Sequence, residues 1–180
     1  MPEAVIVDTV RTPIGRAFKG SLAQLRPDNT GAFIIDQLLE RNPGVNPKDV
    51  EEVFCGVGMP QGKEAFNLAR ILVMLSDKLG QETTGVTMSR YCASSLDAIR
   101  HASNAVKNGE GDIYIAAGVE FVSSFNERTE VAGGDDKHPD LQGNDGQPNV
   151  YIDMGVTAVN VANKYGVSRE AMDHYAQESQ

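Results

Sequence analysis

A layered α/β domain on a largely parallel sheet is the fold this sequence predicts. Three observations lead there. Short β-rich apolar runs recur at Ala4–Thr9, Glu52–Val57, Gly85–Met88 and Asp112–Ala117. Stretches with apolar residues at helical spacing lie between them. Gly, Pro and Asn punctuate each change of period, as in Pro13–Gly15, Asn42-Pro43-Gly44 and Asn108-Gly109.

Ala4–Thr9 reads as a buried strand, ended by Arg11-Thr12-Pro13-Ile14-Gly15. Pro27-Asp28-Asn29-Thr30 offers N-caps for a helix over 32–40, with Ala32, Ile35, Leu38 and Leu39 inward. The strand Glu52–Val57 follows, and then a helix from about Glu64 to Leu79 with Phe66, Ala69, Leu72, Val73 and Leu79 as its buried set. Gly85–Met88 is a strand, and Leu96, Ile99, Ala102, Ser103 and Val106 mark the helix after it. The strand Asp112–Ala117 ends at Gly118-Val119-Glu120. The pattern then breaks. Residues 126–149 are polar, rich in Gly and Asp and without a period, which predicts a functional loop or disorder, with Gly133–Gly146 read as a mobile cover loop. Helical spacing resumes with Met154, Ala158, Val161, Ala162 and Tyr165, and Ser168 caps a last helix carrying Met172, Tyr175 and Ala176. The expected division is one domain over 1–120 and a partial second over 121–180. The last helix runs to Gln180 without a closing signal, so the chain reads as cut.

The net charge of −9, with no Lys/Arg run, argues against nucleic acid or an anionic membrane surface as a partner. No apolar stretch is long enough to span a bilayer. The N-terminus enters the first expected strand without a basic leader, so the expected location is cytoplasmic. Cys55 and Cys92 provide neither a disulfide framework nor metal spacing, which fits reduced thiols.

The stretch carrying chemistry is Ser89-Arg90-Tyr91-Cys92-Ala93-Ser94-Ser95-Leu96. A strand delivers Cys92 to the first turn of a helix, where unpaired N–H groups and the positive end of the dipole favour thiolate. Taken alone, such a cysteine is more often a small core hydrophobe. Cys55, in an apolar strand, is read as plain core. His101, on the helix after Cys92, is read as a surface or interface group, and His138 and His174 as solvated. Gly56-Val57-Gly58 lacks the third glycine of a phosphate loop and reads as a turn. Arg11 and Arg70 suit salt-bridge or helix-end roles. Gly133–Gly146 lacks the ordered spacing of a calcium loop.

Four stretches, in order, give the sequence a family resemblance: Val10-Arg11-Thr12-Pro13-Ile14-Gly15; Asn67-Leu68-Ala69-Arg70; Arg90–Leu96 with Gly118-Val119-Glu120; and Met154–Ala158 through Ser168-Arg169 to Ser179-Gln180. Together they resemble the thiolases, the acetyl-CoA acetyltransferases and 3-ketoacyl-CoA thiolases, over the N-terminal portion of a protein about twice as long. The resemblance implies a layered αβαβα half with a mixed sheet and part of a helical loop domain. It implies acyl transfer from acyl-CoA to Cys92, then to coenzyme A or to the enolate of acetyl-CoA. Coenzyme A is cosubstrate, and no metal or redox cofactor is implied. Cys92 would be the acylated nucleophile and Met154 would line the pocket near the pantetheine arm. The family's oxyanion Asn, activating His and second Cys belong to the other half, so the chain alone is expected to be inactive. A homodimer or homotetramer is implied for the full-length protein, with Asp112–Ala117 and the Cys92 region near the interface. The alternatives are a non-catalytic half pairing with a complementary C-terminal chain and a ketosynthase-like condensing enzyme. Ser89, Ser95, Asp153 and Val159 depart from the family's usual Asn, Gly, His and Glu.

Overall fold

A computed structural model describes residues 2–124, 137–143, 146 and 148–180. The chain forms two compact units, Met1–Val131 and Ala132–Gln180, where the sequence places the division at 120.

The first unit holds a sheet of three parallel strands, β1 (Val50–Gly56), β2 (Thr84–Met88) and β3 (Ile113–Gly118), in the order β2-β1-β3. All three described strands are parallel, so no antiparallel member of the expected mixed sheet occurs among the described residues. Helices α1 (Pro27–Arg41), α2 (Leu68–Leu75) and α3 (Ser94–Asn108) connect and cover them.

Alternation along β1 assigns the two faces. Val53, Cys55 and Val57 enter a cluster with Ile35 and Leu39 of α1 and Leu68, Leu72 and Val73 of α2. Between them, Phe54 and Gly56 point the other way: Phe54 lies 6.1 Å from the His101 ring of α3, and Gly56 lies beneath the first turn of α3. Helices therefore cover both faces, as buried parallel strands require.

Three expectations are corrected. Helix α1 starts at Pro27, with Arg26 as its N-cap. Pro27 suits the first turn, and Asp28 there accepts from Arg26 Nη2 at 2.6 Å and from Asn29 N–H, so Pro27–Thr30 lie inside the helix. Helix α2 is shorter than the span 64–79. Phe66 is left-handed (φ 61°) and 90% exposed, where the sequence predicts it buried. At the other end, the Ser76 hydroxyl accepts from Lys78 and Leu79 N–H and bonds Asp36 of α1, which turns the chain. On α3 the buried residues are Ser94, Asp97, Ala98 and Ala105, while Leu96 and Ile99, which mark the helical spacing, are exposed. Finally, Ala4–Thr9 is no strand. It has no ladder partner among the described residues, and Val5, Ile6 and Val7 are exposed. An extended segment becomes a strand only by pairing. Asp8 is still tied to the end of α1, accepting from Arg41 Nη2 at 3.0 Å and Asn42 Nδ2 at 2.9 Å.

The second unit carries α4 (Met154–Tyr165), closed by left-handed Gly166, and α5 (Arg169–Ser179). Ser168 caps α5 as predicted, accepting from Ala171 N–H. Of the predicted cover loop Gly133–Gly146, residues 137–143 and 146 are described and the rest lie outside the described residues.

Candidate active site

The site begins with a close approach. Gly56 of β1 pairs in register with Met88 of β2 and with Gly118 of β3, so the three strands end together. A Cβ on Gly56 would lie 2.4 Å from Ser94 C and Ser95 N, and one on Gly118 would lie 2.8 Å from Ser95 Cβ. The first turn of α3 thus rests directly on two adjacent glycines, a separation only glycine permits. The carboxyl end of a parallel sheet is where open α/β folds bind ligands.

Between Met88 and that turn, the chain reverses in an elbow. Tyr91 has φ 47°, and a bulky residue in this region is strained by about 1–2 kcal/mol. Ser94 holds the elbow: its hydroxyl accepts from Arg90 N–H at 2.8 Å and donates to the Tyr91 carbonyl at 2.6 Å. Ala93 N–H donates to Arg90 O and Ser94 N–H to Tyr91 O, both at 3.0 Å. Cys92 sits at the crest, exposed, one residue after the strained position. The first-turn amides of α3 that follow have no acceptor within the helix.

The loops after the strands are cross-tied beside the elbow. Ser89 Oγ donates to Gly58 O at 3.0 Å, and Gly58 N–H donates to Glu120 Oε2 at 2.6 Å. Glu64 is fully buried and accepts from Phe121 N–H at 2.8 Å. Below the elbow, Asp97 pairs with Arg100 at 2.8 Å and Arg90 at 3.4 Å. The hydrogen bond from Arg100, with the nearby guanidinium charges, holds its carboxyl below the usual range.

The stretch Asn67-Leu68-Ala69-Arg70 fixes the strand that delivers Cys92. Asn67 Nδ2 donates to Gly85 O at 2.6 Å and Thr87 Oγ1 donates to Asn67 Oδ1 at 3.0 Å; Ala69 N–H donates to Thr87 Oγ1 at 2.9 Å. Arg70 Nη1 donates to Thr83 O at 2.6 Å, a helix-to-strand tie. Arg11 donates to the Thr12 carbonyl.

Cys55 is fully buried, and that burial pushes its thiol up to about 12. His101 bonds the Asp97 carbonyl of its own helix through Nδ1 at 2.8 Å, while His138 and His174 are exposed. Met154 opens α4 in the second unit and is 76% exposed, so the two predicted site residues belong to different units. Sequence reading missed Ser94, Glu64 and the pairing of Gly56 with Gly118. The glycines were visible at two strand ends, but their common purpose appears only once the strands are in register.

The profile of the thiolase N-terminal domain matches residues 4–180. The chain belongs to the thiolase family. It is 34% identical over 179 residues to the 3-ketoacyl-CoA thiolase of Idiomarina loihiensis, covering 99% of this chain and 44% of that protein. It is 38% identical over 176 residues to the 3-ketoacyl-CoA thiolase of Bacillus subtilis, covering 98% and 43%. This thiolase chain therefore spans less than half the length of the curated relatives it matches. Within it, the elbow, Gly118 of the glycine seat and Asn67 of the clamp fall in the stretches that carried the resemblance.

Proposed function

We propose that Cys92 is the nucleophile of an acyl-CoA acyltransferase and that these 180 residues supply its acyl-accepting half. The observation that carries the reading is an exposed thiol at a strained strand-to-helix elbow, seated on Gly56 and Gly118 at the carboxyl end of the sheet. The thiolate attacks the thioester carbonyl carbon, the bond from that carbon to the coenzyme A sulfur breaks, and coenzyme A leaves as the thiol after taking up a proton. An S-acyl-Cys92 remains. A second coenzyme A, or the enolate of acetyl-CoA, then takes the acyl group. First-turn amides of α3 are suited to receive the developing oxyanion.

Residues 121–180 are read as part of a loop domain over the coenzyme A arm, with Met154 on the pantetheine side. The full protein is read as cytoplasmic, oligomeric and built on the five-layered αβαβα plan. Proton transfers for complete turnover are assigned to polypeptide beyond this half, so the chain alone forms the acyl adduct without sustained thiolysis.

Intact-mass analysis after incubation with acetyl-CoA tests the central step. One acetyl group on Cys92, absent from Cys92→Ala, is expected. No adduct, or an adduct on Cys55, overturns the reading.

A further inference from the structure

Arg90, where the chain enters the elbow, is bound to the start of α3 in three ways. Its N–H donates to Ser94 Oγ at 2.8 Å, and its carbonyl accepts from Ala93 N–H at 3.0 Å. Its guanidinium Nε lies 3.4 Å from Asp97 Oδ2. The first two ties are local to the turn. The third closes a ring around the whole of it, with Cys92 inside. Asp97 is 8% exposed, and a carboxylate is seldom so buried unless it is paired. Its other oxygen accepts from Arg100 Nε at 2.8 Å, which fixes the orientation of the carboxylate. The His101 ring lies farther off, with Nδ1 3.8 Å from Asp97 Oδ1.

We infer that Asp97 is a positioning residue for Cys92: from the first turn of α3 its carboxylate braces Arg90 and so holds the strained elbow, with the thiol at its crest, in one form. The inference rests on the reading of Cys92 as the nucleophile and names what keeps that nucleophile in place. The left-handed Tyr91 gives the elbow a tendency to relax, and relaxing moves Arg90 relative to α3. The helix end of the brace cannot follow, because Ser94 and Ala98 beside Asp97 are buried. Ion pairs with an exposed partner count for little unless several charges form a network, as Arg90, Asp97 and Arg100 do. The hydrogen bond from Arg100 and the guanidinium charges hold the Asp97 carboxyl below the usual range, so the brace is charged at neutral pH. Acting only through space, the two charges would affect a sulfur anion with opposite signs. Removing the Arg90 cation would disfavour the thiolate, and removing the Asp97 anion would favour it. Acting as a brace they share one sign, since losing either end frees the same turn.

The test compares the 180-residue protein with Arg90→Gln, Asp97→Asn and the double variant. Iodoacetamide at pH 8 is the probe, and Cys55 in the same digest reports unfolding. Each single variant is expected to alkylate Cys92 about threefold more slowly than the parent or slower still, and the double variant no more slowly than the slower single. Amide exchange at Ala93 and Ser94, whose N–H groups close the elbow, is expected to quicken about fivefold in both singles, while Leu72 and Val73 of α2 keep the parent rate. Faster alkylation of Cys92 in Asp97→Asn, additive slowing in the double variant, or unchanged exchange at Ala93 and Ser94 overturns the inference. Should Asp97→Asn fail to fold, with Cys55 alkylated as fast as Cys92, Arg90→Gln decides: quickened exchange at the elbow supports the brace and unchanged exchange overturns it. Acetylation by acetyl-CoA is read in parallel. A parent that alkylates at Cys92 without acetylating removes the acyltransfer reading and leaves the brace. Acetylation at the parent rate in both singles removes the brace and leaves that reading.

Discussion

The surroundings of Cys55 and Cys92 show how one sheet makes two thiols chemically unlike. Cys55 follows the inward alternation of β1 into the α1/α2 cluster, where nothing solvates a sulfur anion. Its neighbour Gly56 points the other way, and the missing side chain there lets α3 come down with Cys92 at its head. Strand parity separates a buried thiol from an exposed one. Identity of the residue decides little; the face it reaches decides much.

The sharpest way to break this comparison is alkylation. Iodoacetamide at pH 8, followed by peptide mass analysis, is expected to modify Cys92 at least a hundredfold faster than Cys55; equal rates in the folded protein would erase the distinction. Next in size is the seat. Gly56→Ala places a methyl group against backbone and is expected to cost about 3 kcal/mol in urea unfolding. Gly118→Ala meets the Ser95 side chain instead and should cost less, with Ser95→Gly restoring part of the loss. A third test uses pH. The Cys55 thiol is raised in the folded state from 9.0 to about 12, so the folded chain keeps a proton that the unfolded chain loses. Stability from this group is complete below about pH 9 and falls by about 1.4 kcal/mol per unit between there and 12. Cys55→Ala should show a shallower alkaline decline than the parent. The smallest effect belongs to Ser94→Ala. Loss of its two bonds to the elbow should cost about 1–2 kcal/mol and slow Cys92 alkylation a few-fold, read by the same two assays.

Much of the fold was legible because local signals and tertiary environment agree. Strands β1, β2 and β3 and the stop of α3 at left-handed Gly109 follow from apolar runs and punctuation. The position of Cys92 at a helix start was equally readable. The failures have a shared physical origin. Ala4–Thr9 was read as a buried strand, yet Val5–Val7 line an open groove here together with Ile99 and Val106 of α3. Periodicity reports what a side chain prefers and not whether a neighbour is present. Phe66 failed differently: a left-handed residue before Asn67 has no signature in hydrophobic spacing. The elbow's supports, Ser94 and Glu64, were hidden because a polar residue close to a motif looks the same whether it faces water or a backbone amide.

The contact of α3 with two glycines carries a consequence for evolvability. At Gly56 the backbone of α3 rests on the backbone of β1, while Tyr91 and Leu96, on either side of Cys92 in the chain, are exposed. Such an arrangement separates position from surroundings: variants at those outward positions can change the surface near the thiol while the backbone that carries it stays put.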